Sequence, residues 1–159
     1  MDHATIDPAL KTWAAALTGI PVACVLWENE PQVQHNGALV TLRWVSEVTA
    51  GVDATHWTFA ENVDPLREMT PTTTGNRVAV LQVDIEVHDQ RPGVNAGAIA
   101  SKARTRVYWP RLLAQLAAVN LAVASVGQVL VTDYEVDDHM VSRRSLELRL
   151  NGVASETDA

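Results

Sequence analysis

The stretch VLQVDIEVHD, residues 80–89, constrains the fold more than any other part of the chain. It puts Leu81, Val83, Ile85 and Val87 on one side of an extended backbone and Gln82, Asp84, Glu86 and His88 on the other. Side chains alternate across a strand, so this pattern is a half-buried strand with an apolar face and an acidic polar face. A helix would scatter the four apolar residues around its circumference. The apolar face needs a layer to cover it, and a chain of 159 residues with 47% hydrophobic content is long enough to build one core.

Other segments supply the covering layer and the neighbouring strands. Asp7 as N-cap and Pro8 at the first helical position open a short helix, ALKTWAAAL, which Gly19 and Pro21 stop. VACVLW, 22–27, reads as a buried strand, and ENEPQVQHNG after it reads as a loop. Residues 38–48 alternate, with Val40, Leu42 and Trp44 pointing one way and Thr41, Arg43 and Glu47 the other. HWTFAENV, 56–63, is expected as a weaker strand pairing with 38–48. DPLREMTPTTTGN breaks every periodicity, which predicts an exposed, mobile loop near 64–76.

Helical spacing begins at about Asn95, where Ile99, Ala103 and Val107 form a stripe flanked by Lys102 and Arg106 on one side and Arg104 on the other. Pro110 starts a second helix, PRLLAQLAAV. A strand of about six residues, QVLVTDY, precedes the acidic turn EVDD. VSRRSLELRL closes the sheet with Leu146, Leu148 and Leu150 facing in and Arg143, Glu147 and Arg149 facing out, and a frayed tail is expected near 152–159. The order α-β-β-β-β-α-α-β-β, with short polar connections, predicts one α+β domain over 1–159. Its sheet is mainly antiparallel, with helices packed on one face as a two-layer sandwich.

The search for chemistry returns mostly exclusions. Asp84, Glu86 and His88 alternate on one face as metal ligands would, but any solvated acidic strand gives the same pattern, and no metal is assigned. Asp133, Glu135, Asp137 and Asp138 lack the glycine and distal glutamate of a calcium loop and read as a charged hairpin turn. No phosphate-binding glycine motif or HExxH occurs, and Cys24, the one cysteine, sits in an apolar run. The net charge of −7 argues against a protein that grips phosphates over a broad basic surface. Lys102, Arg104, Arg106 and Arg111 read as a solvated helix face or a subunit contact. Trp57 and Trp109, near element ends, are candidate interface anchors. An assembly or binding component without catalytic residues or cofactor is the expectation.

The order of these segments resembles that of the phage neck and tail-terminator proteins, the head-to-tail completion proteins of long-tailed bacteriophages. The resemblance runs from about residue 8 to 156: VACVLWENEPQVQHNGALVTLRWVSEV after the opening helix, then RVAVLQVDIEVHD, then AGAIASKARTRVYW and PRLLAQLAAV, then SRRSLELRL and the SETD tail. It implies a virion protein, assembled in the host bacterial cytoplasm, that forms a closed ring, commonly sixfold, on the tail tube. Its implied partners are copies of itself, the tail tube protein, a head connector or stopper protein, the tail sheath in contractile forms, and passing double-stranded DNA. A head-completion stopper is the nearest alternative, and a small ligand-binding α+β domain, with a pocket between helices and sheet, the alternative of another class. On the ring reading Glu47, Asp84, Glu86 and Glu147 form an acidic face towards the lumen or the next subunit, with an ordinary wet sheet face as the competing account. Thr70, Pro71, Thr72, Thr73, Thr74 and Gly75 form a candidate docking loop.

Overall fold

A computed structural model describes residues 1–31, 37–59, 69–88 and 95–157. The chain forms helix α1 (His3–Thr18), a 3-10 turn (Val22–Cys24), strands β1 (Val25–Trp27), β2 (Ala38–Thr49), β3 (Ala54–Phe59) and β4 (Met69–Val87), helices α2 (Ala96–Arg106) and α3 (Pro110–Ala117), and strands β5 (Leu121–Val131), β6 (Tyr134–Val136) and β7 (His139–Thr157). The strands make one mixed, mostly antiparallel sheet in the order β1-β2-β4-β7-β5, with β3 added to β4 and β6 to β7. Only β1 against β2 is parallel among these pairings. The architecture is the expected α+β one, with the helices on one face.

The core lies between that face and the helices. From the sheet come Val40, Leu42, Leu81, Val83, Ile85, Leu146, Leu148 and Leu150, all fully buried. Leu10, Trp13 and Leu17 descend from α1, and Leu112 and Leu116 from α3. Helix α2 contributes Ala96, Ala100 and Ala103, whose small side chains let its backbone lie close to the sheet. Each buried leucine is worth roughly 2 kcal/mol over the exposed state, so the layer rests on these contacts rather than on helix propensity. Gly19 ends α1 as the sequence predicts: at φ 79° it takes the left-handed conformation, and its N–H reaches the Ala15 carbonyl at 2.8 Å. Asp137 and Asp138, with φ of 48° and 62°, turn β6 into β7 as a two-residue hairpin, so the EVDD expectation holds.

Four expectations are corrected. Helix α1 begins at His3, upstream of Asp7, and carries Pro8 inside it. Buried Ile6 and the ties from His3 to the sheet extend the helix past a residue that costs its backbone a hydrogen bond. β3 pairs with β4 and not with β2. The expected mobile loop is strand from Met69 onward, because residues 69–74 pair with β3 and residues 72–76 with β7; residues 64–68 lie outside the described residues. The tail is also strand through Thr157, paired with Thr72. Threonine is a good strand former, so a run with no apolar face can still be held by neighbours on both sides. In addition, β5 starts at Leu121 and spans 11 residues where about six are expected.

β4 and β7 therefore run as one long antiparallel pair from Val87–Ser142 to Thr72–Thr157. The helices cover its centre. Beyond Arg77 and Gly152 the pair continues with β3 as a three-stranded arm, and none of the arm's described side chains belongs to the buried core.

Candidate functional site

The open face of the sheet carries the acidic residues of VLQVDIEVHD, and the structure shows what they are bound to. Asp84 is opposite Thr41 on β2 and Ser145 on β7, and it is 4% exposed. Gln82 donates to both its oxygens at 2.9 and 3.0 Å, Arg143 donates through Nη2 at 2.6 Å, and the Ser145 hydroxyl donates to Oδ1. Burial pushes the Asp84 carboxyl up, but the hydrogen bonds from Ser145, Gln82 and Arg143 outweigh it and hold the group below its ordinary 3.8. Glu86 accepts the Tyr134 hydroxyl at 3.0 Å and lies 3.6 Å from both Arg143 Nε and His88 Nε2. Burial first, and then the Glu86 charge, raise the Tyr134 hydroxyl above its usual value. Leu39 and Val141, both buried on this side, help shield the cluster.

In this cluster one guanidinium offsets half of the charge of two carboxylates, so it is an ion-paired network and not a bare acidic wall. Arg143 stands between Asp84 and Glu86, and Glu147, the next outward carboxylate on β7, is exposed. Glu47 belongs elsewhere. The pairing of β2 with β4 slips between Trp44 and Ser46, so Val45 is an extra residue that moves Glu47 to the helix-covered face, opposite Ala79. There its Oε2 meets His3 Nε2 at 3.0 Å and its Oε1 accepts the Met1 amine at 3.0 Å. Burial would raise the Glu47 carboxyl, yet these two bonds lower it overall.

Glu47 is part of a cluster that sequence reasoning missed. His3 bridges Glu47 and Asp7, with Nδ1 3.3 Å from Asp7 Oδ1. Asp7 also accepts Trp44 Nε1 at 3.1 Å through its side chain and Trp27 Nε1 at 3.3 Å through its carbonyl. The two indoles stack at 5.9 Å, and the His3 ring meets Trp44 edge-on at 5.4 Å. The set clamps α1 to β1 and β2. Its only sequence signal is the partly polar end of the Val40-Leu42-Trp44 stripe, since His3 gives no spacing motif.

The basic residues separate. Arg106 turns towards α1, reaching the Leu17 carbonyl at 3.5 Å and lying 5.2 Å over the Trp109 ring. Lys102 and Arg111 are exposed. Arg104, with Ser101, Thr105 and Tyr108, lines a groove of about 860 Å³ whose other wall is Val126, Gln128 and Val129 of β5. The groove runs along the sheet edge, because among the described residues β5 has β7 as its one strand partner.

In the arm, Arg77 makes a two-point contact with Asp53, at 2.7 and 2.9 Å, and the hydrogen bonds from Arg77 hold the Asp53 carboxyl below its usual value. Gly75 faces the Asp53 carboxylate so closely that a β-carbon there would displace it. Thr55 and Thr73 hydroxyls meet across the ladder at 3.1 Å. Trp57 is 56% exposed. Among the described residues no three His, Cys, Asp or Glu side chains converge as a metal shell, and no helix is long and apolar enough to cross a membrane. Compared with models of known protein families and with curated protein sequences, the chain matches none.

Proposed function

We propose that this protein is a structural component of a bacteriophage neck, a tail terminator whose copies close into a ring, six as the working number, on the end of the tail tube. The ring ends tube growth, meets the head connector or stopper and lets double-stranded DNA through, and the chain itself performs no catalytic step. The observation that carries the reading is the arm: a three-stranded extension of β3, β4 and β7 none of whose described side chains joins the core, so its folded form suits a surface that is touched from outside. The order of helices and strands supports the same reading through the resemblance noted above. The candidate docking residues 70–75 lie in this arm, as strand and not as loop.

Asp84 and Glu86 are tied to Arg143 and act in holding the sheet, which leaves Glu147 and the net charge of −7 per copy to discourage phosphate contact. A ligand pocket between the helices and the sheet is disfavoured, since Leu10, Trp13, Leu17, Leu112 and the β7 leucines fill that space. The test is genetic: virions made without this chain should show tails of uncontrolled length and unjoined heads. Tails of normal length joined to heads in its absence would refute the proposal.

A further inference from the structure

We infer that the arm of one copy adds as a strand to the β5 edge of the next, with Trp57 seated in the groove between α2 and β5. This inference rests on the ring proposed above and names its subunit contact.

The two edges suit each other in composition. β5, LAVASVGQVLV, contains no charged residue, and neither does β3, ATHWTF, apart from His56 if protonated. Edge strands that stay solvated are ordinarily guarded by charge, proline or brevity, and β5 has 11 residues with only its two irregularities of register as a guard. The far edge of the same sheet is different, since β1 is three residues long and Arg43 and Glu28 pair beside it at 3.5 Å.

Direction and face also agree. β3 opposes β4, β4 opposes β7 and β7 opposes β5, so β3 and β5 run in opposite senses. Copies placed side by side in one orientation would therefore pair them antiparallel, the more stable ladder. Trp57 is opposite Pro71, which shares a face with Thr73, Arg77 and the buried Ala79 and Leu81. It thus projects on the helix side, where it is 56% exposed in its own copy and the next copy has α2. The groove there is lined by Tyr108, Arg104, Thr105 and Val126, an aromatic, a cation and apolar surface for an indole. Helix α2 carries Lys102, Arg104 and Arg106 with no acid, and the arm brings Glu156.

The edges are offset along the sheet: β3 centres on Thr72 of β4, and β5 on the level of Leu81, about nine residues or roughly 30 Å apart. Successive copies are staggered by that amount, and the ring closes if strands tilt to its axis as they do in barrels. The contact is heterologous, so each copy has one donor end and one acceptor end.

The complementary ends give the experiment. Trp57→Ala removes the donor, and Thr105→Trp fills the acceptor; both positions are exposed, and each variant should melt as the wild type does. By light scattering over a concentration series, wild type should assemble and each variant should need at least about tenfold more protein to do so. Mixing the two variants should give a species of twice 17.3 kDa that grows no further. Trp57→Phe, which keeps an aromatic donor, should assemble better than Trp57→Ala. A wild-type ring that survives both variants, or a mixture that stays at the single-chain mass, overturns this contact and leaves the ring standing. A wild-type chain that stays single throughout the series overturns both.

Discussion

The long pair β4–β7 has two regions built on one ladder and held by different forces. Between Val78 and Val87 every second β4 residue is buried under helices, against Leu146, Leu148 and Leu150 of β7. Between Thr72 and Asn76 the same strands carry threonine, glycine, asparagine, alanine, serine, Val153 and Glu156, with β3 as the third strand as far as Thr74 and no described side chain in the buried core. The central region is stabilised by apolar burial, and the arm by backbone hydrogen bonds, strand propensity and the Asp53–Arg77 pair. A hydrogen-bonded ladder contributes only about 1 kcal/mol net per bond, so the arm is the softer part and the one whose stability a partner can raise.

The strongest challenge to this contrast is Leu148→Ala. Truncating a fully buried leucine should cost about 2–5 kcal/mol in urea unfolding, whereas Thr73→Ala in the arm should cost less than about 1 kcal/mol. Equal losses would mean that the arm and centre share one source of stability. Next comes Arg143→Ala, which leaves Asp84 buried with Gln82 and Ser145 alone. A destabilisation of about 3 kcal/mol is expected from urea midpoints, with the Ser145–Asp84 bond retained.

The same pair predicts a pH effect. The folded Asp84 carboxyl lies below its unfolded 3.8, so its contribution is complete above about pH 4 and is lost as pH falls through the lower folded value. Unfolding midpoints measured from pH 7 to 2.5 should therefore fall less steeply for Asp84→Asn than for wild type. The smallest effect is Asp53→Ala: an unchanged midpoint in global unfolding, with faster hydrogen exchange confined to residues 70–77 and 152–157. Slower exchange there on assembly would show the arm ordering against its neighbour.

Alternation made the central region readable before any coordinates. Leu81, Val83, Ile85 and Val87, with Leu146, Leu148 and Leu150, announce a covered face, and Ile99, Ala103, Val107 and Leu112 announce what covers it. The arm gives no such signal, because a strand without an apolar face shows no period of two, and Pro71 and Gly75 imitate a loop. β5 is blurred for a related reason: its register shifts twice, so apolar residues no longer fall at alternate positions. Alternation shows Asp84, Glu86 and Glu147 as one face but misplaces Glu47, which the bulge at Val45 moves to the other side, and it hides the network, since Arg143 and Ser145 lie about sixty positions from Asp84. The groove between α2 and β5 is equally invisible in sequence, being made by two elements that share no local pattern.

Val45 has one more consequence. By adding a single residue to β2 it sets the reading frame of everything after it, so that Glu47 clasps His3 while Val48 looks outward. Drawing Val45 into the regular ladder would transpose the two sides of the strand's far end, sending a carboxylate into water and a valine beneath the opening helix, whereas deleting it would remove the bulge and leave Glu47 opposite Ala79 and Val48 opposite Val78. The bulge, and not simple alternation, thus decides which side the carboxylate takes: loss of Val45 keeps that side, and straightening the bulge with Val45 present reverses it.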